Sequence, residues 1–156
     1  MTYDLQTISD YLSIRDLCAR YNRYADLADG ENYAKLFTDD AEFHIVGNRV
    51  YRGRAEIAAA CAATQVTVHI TTDPLMEFHG DTATQRSRTI SVYRALDGSK
   101  NEFVASGWYI DELKRTSEGW RFFRRRVELD LKIDEVFRKM TITESFADVD
   151  KTLGAA

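Results

Sequence analysis

The chain has 156 residues, 44% of them apolar and 29% charged, with a formal net charge of −4 and a pI near 5.4. That length fits one domain whose core is large enough to fold without a disulfide or a metal. The acidic balance argues against a nucleic-acid partner, because phosphate binding needs a basic surface; the one basic run, Arg124-Arg125-Arg126, lies in a strand-like segment flanked by acids. No window approaches the roughly 20 apolar residues of a membrane span. Met1-Thr2-Tyr3-Asp4-Leu5 lacks the basic and apolar regions of a signal peptide, so the expectation is a cytoplasmic protein without a membrane partner.

Apolar residues recur at helical spacing over 9–28, through Tyr11, Ile14, Leu17, Cys18, Tyr21, Tyr24, Ala25 and Ala28. Asp29-Gly30 reads as the stop, since glycine tolerates the left-handed conformation that ends helices. A short helix is predicted over 32–37, then a turn at Thr38-Asp39-Asp40. Strands over 41–46 and 49–52 flank Gly47-Asn48, a hairpin signal. An alanine-rich helix follows over 55–63, and long strands over 66–78, 82–96, 101–114 and 120–132. Gly80-Asp81, Asp97-Gly98 and Glu118-Gly119 punctuate them as the turns of an antiparallel meander. Strands this long must bend, and a bent sheet half-closed by helices is concave. The pattern is α+β, with a domain over 1–134 and a weakly helical tail over 135–156 that could cover the pocket or a subunit interface.

Cys18 and Cys61 sit in apolar helical patterns and read as buried free thiols. His69 is the histidine of interest: in Val66-Thr67-Val68-His69-Ile70-Thr71 one face is apolar and the other polar, in a β-branched strand expected to be central. Polar groups in such a strand need partners, and imidazole can take and give a proton near neutrality. His44 could also face the concavity, and His79 precedes a turn. Their spacing matches no metal motif, so no metal is expected. Asp26 lies near the C-terminal end of the first helix, where the dipole disfavours an acid, and such local violations are enriched at sites. Tyr21, five residues earlier, is turned about 140° away from it. Arg125 alternates with Phe123, Val127 and Leu129, as a buried cation with a partner or a pocket anchor would, leaving Phe122, Arg124 and Arg126 opposite.

Four segments carry a resemblance: Ile14-Arg15-Asp16-Leu17-Cys18-Ala19-Arg20-Tyr21 with Asp26, Leu36-Phe37-Thr38-Asp39-Asp40-Ala41, Tyr51-Arg52-Gly53, and Gly119-Trp120-Arg121-Phe122. From about Ile14 to Asp130 the chain resembles the SnoaL-like family of the nuclear transport factor 2-like superfamily. It looks most like the group of scytalone dehydratase, bile-acid 7α-dehydratase and hexachlorocyclohexane dehydrochlorinase. The resemblance implies a conical barrel built from a strongly curved, mostly antiparallel sheet and N-terminal helices, no cofactor, and often a homotrimer. Asp26 and His69 match that group's aspartate–histidine pair. Tyr21 matches the tyrosine of the bile-acid enzyme, where the dehydrochlorinase has lysine, and Arg125 is the candidate for the group's late basic residue. The implied activity is a cofactor-free lyase eliminating water, or a proton-shifting isomerase, on a small apolar cyclic or polyketide-like substrate. Asp26, His69 and Tyr21 would be catalytic, with Arg125, Tyr51, Phe43 and Trp108 lining the pocket. Two alternatives stay open: a SnoaL-type polyketide cyclase with a late acid such as Asp111 or Glu128, and a non-catalytic small subunit of a ring-hydroxylating dioxygenase or a ligand-binding protein.

Overall fold

The computed structural model describes residues 3–63, 67–94 and 102–130. The expected Asp97-Gly98 turn, the first residue of the 66–78 strand and the tail over 135–156 lie outside them.

Helix α1, Leu5–Asp26, starts where the Asp4 carboxylate accepts the Thr7 backbone N–H at 2.7 Å, a cap typically contributing about 1 kcal/mol. Its buried residues Asp10, Ile14, Leu17, Tyr21 and Ala25 recur every three or four positions and face the sheet. The left-handed residue after the helix is Ala28, with φ 52°, and not Gly30 as the dipeptide signal suggested. Asp29 instead caps α2, Gly30–Ala34, accepting the Asn32 backbone N–H. Gly30 is needed for close approach, since a Cβ there would run into the Ala58 carbonyl of α3, Gly53–Ala62.

Strand β1, Phe37–Ile45, begins earlier than the periodicity indicates, so Thr38-Asp39-Asp40 is strand and not turn. The physical reason is pairing: the Phe122 N–H donates to the Leu36 carbonyl at 3.0 Å, and Phe37 lies in register with Phe122. β2, Val50–Arg52, completes the expected hairpin. The strand expected over 66–78 is two strands, β3 (Thr67–Thr71) and β4 (Leu75–His79), broken at Thr72-Asp73-Pro74, where proline offers no N–H to a ladder. β5 (Thr82–Arg94), β6 (Glu102–Thr116) and β7 (Gly119–Leu129) form the meander.

The sheet order is β2-β1-β7-β6-β5-β3, with β4 also pairing β5 and β1 running parallel to β7. β5 thus carries β4 along its first half and β3 along its second. Among the described residues β3 is therefore an edge strand, not a central one. α1 packs across the inner face, over a core that includes Ile14, Phe37, Ile57, Leu113 and Phe122. At the β6–β7 ladder the register slips by one residue: Glu112 faces Arg124 but Leu113 faces Phe122, leaving Phe123 as the extra residue of a bulge. Strict alternation put Phe122 opposite Arg125. The bulge instead buries both on the inner face.

Candidate active site

Cross-strand register defines what looks inward. His69 pairs with Ser91 and Ser91 with Ala105; Thr71 pairs with Thr89 and Thr89 with Gly107. All of these share the face that α1 covers. The apolar residues of β3 point the other way, with Val68 44% and Ile70 58% exposed. A half-buried strand normally turns its apolar side to the core. β3 is inverted, and the polar side chains it turns inward require polar partners there.

α1 supplies them by a match of repeats. Four helical residues rise about 6 Å and two strand residues about 6.6 Å, so Asn22 and Asp26 on one helix face meet Thr71 and His69 on one strand face. Asn22 Nδ2 donates to Thr71 Oγ1 at 3.0 Å. Asp26 Oδ1 accepts the His69 backbone N–H at 3.0 Å and lies 2.7 Å from His69 Nδ1. A carboxylate only accepts, so Nδ1 carries the proton, and any exchange with a bound molecule falls to Nε2. The side chains of His69 and Asp26 are 13% and 29% exposed. Burial pushes the imidazole below its ordinary pKa of 6.5 and the Arg125 charge adds to this; the bond to Asp26 and its charge pull the other way without prevailing. The imidazole is therefore neutral at neutral pH and able to act as a base.

Deeper on the same face lies Arg125. Its Nε and Nη2 donate to Asp111 Oδ1 and Oδ2 at 2.8 and 2.7 Å, with both side chains sealed from solvent at 1% and 0% exposure. Gln85 Nε2 donates to Asp111 at 2.6 Å and also contacts the Cys18 sulfur at 3.2 Å. The guanidinium stacks 3.9 Å from the ring centroids of Tyr21 and Phe122 and 4.3 Å from Tyr109, and its Nη1 has no hydrogen-bond partner. Tyr21 belongs to this cluster, 4.8 Å from Tyr33, about 7.5 Å along the helix axis from Asp26. Burial raises its phenol pKa, so it stays a neutral O–H. Phe43 sits in register with Arg125 and stacks on Tyr51 at 6.0 Å, both on the inner face.

Trp108 is a correction. It pairs with Arg88 on the outer face, where Arg86 and Arg88 lie 4.0 and 4.6 Å from its ring, and so it does not share the face that carries His69. Glu128 is also outside, bonded to Arg126 at 2.6 Å. His44 borders a groove of about 800 Å³ whose lining includes Glu42, Glu112, Arg124 and Arg126 together with Gln85, Asp111 and Arg125. Arg124 pairs with Glu42 and Glu112 in its lining, Arg52 also pairs with Glu42, and neither Asp26 nor His69 lines it. His79, at the end of β4, is exposed. Cys18 and Cys61 are not joined in a disulfide, and the Cys61 thiol donates to the Tyr24 carbonyl at 3.8 Å. Among the described residues no three His, Cys, Asp or Glu side chains gather as a metal site, and no helix is long and apolar enough to cross a membrane.

Sequence reading missed Gln85 and Thr89 as members of this face, and it gave Asp111 a different role. The available signal was alternation in β6, where Ala105, Gly107, Tyr109, Asp111 and Leu113 share one side. An acid on a strand face with Leu113 and Tyr109 needs a buried cation, and Arg125 was the candidate one strand away.

Comparison with known proteins agrees with this architecture. The SnoaL-like domain matches residues 6–126. A Mycobacterium tuberculosis protein of unknown function is 33% identical, with a TM-score of 0.69 over 89% of this chain and 80% of that one. A scytalone-dehydratase-like protein of Novosphingobium aromaticivorans gives a TM-score of 0.73 at 20% identity, over 80% of this chain and 86% of that one. A hexachlorocyclohexane dehydrochlorinase of Novosphingobium barchaimii gives 0.74 at 18% identity, over 83% of this chain and 92% of that one. At those identities the last two speak for the fold.

Proposed function

This chain belongs to the SnoaL-like domain family, and on that premise we propose that it is a cofactor-independent lyase of the dehydratase type, with His69 as the base and Asp26 as the group that orients it. The observation carrying this reading is the 2.7 Å contact between Asp26 Oδ1 and Nδ1 of a shielded, neutral His69. The substrate class is an apolar cyclic or polyketide-like β-hydroxy carbonyl compound, whose carbonyl acidifies the adjacent C–H enough for imidazole to remove it.

In the proposed step His69 Nε2 takes the proton α to the carbonyl, and the C–H electron pair passes into an enolate. Asp26 holds the tautomer and stabilises the imidazolium. The enolate then re-forms the carbonyl and pushes out the β-hydroxyl, which leaves as water with a proton returned by the imidazolium. The same proton handling without departure of the hydroxyl is an isomerisation. Arg125 supplies positive potential toward the enolate oxygen. Tyr21, packed beneath the guanidinium, acts as a positioning residue for it.

The cyclase alternative fares worse, since Asp111 is consumed by Arg125 and Gln85 and Glu128 lies on the outer face. The expected self-association, with a trimer favoured, would use the outer face, where Val68, Ile70, Ile90 and Val104 expose apolar surface.

The test is a panel of cyclic β-hydroxy ketones such as 3-hydroxycyclohexanone, followed by the absorbance of the conjugated enone. Turnover by the wild type and a loss of about 10²- to 10⁴-fold in His69→Ala is the expected result. Equal rates in the two proteins remove His69 from the mechanism.

A further inference from the structure

We propose that Asn22 and Thr89 form a polar subsite beside the dyad that receives a hydroxyl group of an otherwise apolar ligand. The inference rests on the reading that the inner face around His69 is where a small molecule binds, and it adds a chemical requirement on that molecule.

Two polar atoms on this face, Asn22 Oδ1 and Thr89 Oγ1, are shielded from solvent and have no hydrogen-bond partner. Thr89 is only 2% exposed. Folded proteins leave few buried polar atoms unpaired, and each one that persists marks a cost borne for some other reason. These two converge. Asn22 Nδ2 is held by Thr71 Oγ1, and Thr71 is the cross-strand neighbour of Thr89. Fixing the amide nitrogen on Thr71 fixes the direction of the amide oxygen. Asn22 is also one helical turn before Asp26, and Thr71 two residues beyond His69, so the orphaned atoms sit one repeat away from the dyad on both elements.

The next strand carries only small residues opposite this pair. Gly107 lies opposite Thr89 and Ala105 opposite Ser91, so β6 contributes almost no side chain here. At Gly107 the place of a Cβ is taken by the Glu128 carbonyl of β7.

The chemistry selects the ligand group. An amide oxygen only accepts, whereas a threonine hydroxyl both donates and accepts. A ligand hydroxyl satisfies both atoms at once, donating to Asn22 Oδ1 and accepting from Thr89. A carbonyl could engage Thr89 alone, and a methyl group neither. This hydroxyl is distinct from the one expelled in the proposed elimination, which must lie within reach of His69 Nε2.

The experiment compares 2-naphthol with 2-methylnaphthalene, which replaces the hydroxyl by a methyl group of similar size. Affinities are measured by ligand fluorescence in the wild type, Thr89→Val, Thr89→Ser and Asn22→Leu, alongside the melting temperature of each ligand-free protein. The wild type should prefer the naphthol about tenfold. Thr89→Val and Asn22→Leu should lose that preference, binding the two ligands equally, and Thr89→Ser should keep it. Ligand-free Thr89→Val should melt no lower than wild type, because a methyl group replaces an unpaired hydroxyl of the same shape. A preference that survives in Thr89→Val overturns the subsite. So does equal weakening of both ligands, failure of either ligand to bind the wild type, or a clear drop in the melting temperature of Thr89→Val, which would mean that the hydroxyl serves an internal partner. The elimination reading is judged separately: a His69→Ala protein that keeps wild-type turnover overturns that reading alone, provided the naphthol preference persists.

Discussion

Two pairs of titratable residues lie at the inner face of one sheet, and they are built to opposite specifications. Arg125 and Asp111 are closed off from water, joined by two parallel hydrogen bonds, and hemmed in by Gln85, Tyr21, Tyr109 and Phe122. His69 and Asp26 share one carboxylate oxygen and keep part of their surface open. A sealed pair exchanges no proton with a ligand; it ties β6 to β7 and acts on the site through its field alone. A partly open pair can take a proton from a bound molecule. The difference teaches that charge in an interior does not by itself mark chemistry; what marks it is a titratable group whose environment keeps it near neutrality with one nitrogen uncommitted to its orienting partner.

Three measurements sharpen or break that contrast. The largest effect is expected at the sealed pair. Asp111→Ala leaves a buried guanidinium uncompensated and should cost about 3–5 kcal/mol in urea unfolding. The double variant Asp111→Leu with Arg125→Met should recover most of the loss, since an apolar replacement of a whole buried pair is often neutral. If the single variant costs no more than a surface substitution, the pair is not sealed in solution.

An intermediate effect belongs to a third cluster. Asp10 accepts Arg115 Nη2 at 2.6 Å and Trp120 Nε1 at 3.0 Å, and the Arg115 bonds lead the causes that bring its pKa down to about 2 from 3.8. The folded state then binds fewer protons than the unfolded one between those values. The stabilisation is complete above the unfolded value and disappears as the pH falls toward 2. That is about 2 kcal/mol, to be read as the difference between acid unfolding of the wild type and of Asp10→Asn.

The smallest stability effect is expected at the open pair. His69→Ala should change unfolding free energy by about 1 kcal/mol or less at neutral pH, in contrast to its effect on turnover. Its sign with pH is defined. The imidazole pKa is lowered on folding, so the native protein resists protonation that the unfolded chain accepts, and His69 costs stability as the pH falls below 6.5. His69→Ala should therefore gain on wild type in mild acid, and wild-type kcat/KM should hold to a lower pH than an ordinary histidine allows. A gap between the two proteins that does not vary with pH would contradict the shielded, neutral imidazole.

The parts of the architecture legible from sequence are those governed by local repeats. The α1 stripe, the hairpin around Gly47 and the β5–β6–β7 meander follow from periodicity and turn residues. The pairing of Asp26 with His69 came from resemblance, and the long-range geometry behind it, a helix repeat laid on a strand repeat, has no local signature. The misreadings share one cause. The early start of β1 depends on β7, more than 80 residues away. The bulge at Phe123 is a feature of the β6–β7 pairing and not of β7 alone, and it moved Phe122 to the other face. β3 was expected in the sheet centre because Val68 and Ile70 resemble core residues, yet they face outward. Trp108 was drawn into the pocket on its aromatic character, while register puts it between two arginines outside.

The position of β3 gives Asp26 a second consequence. A strand at the border of a sheet offers its bare main-chain edge to any other extended chain, and that is how folded domains begin to polymerise. By taking the His69 backbone N–H, the Asp26 carboxylate occupies the place that a foreign strand would seek, while Asn22 pins the same strand one repeat further along. Loss of the acid would thus do more than idle a base: it would leave an adhesive border, and exchange of Asp26 should show first as protein drawn out of solution into β-rich aggregates.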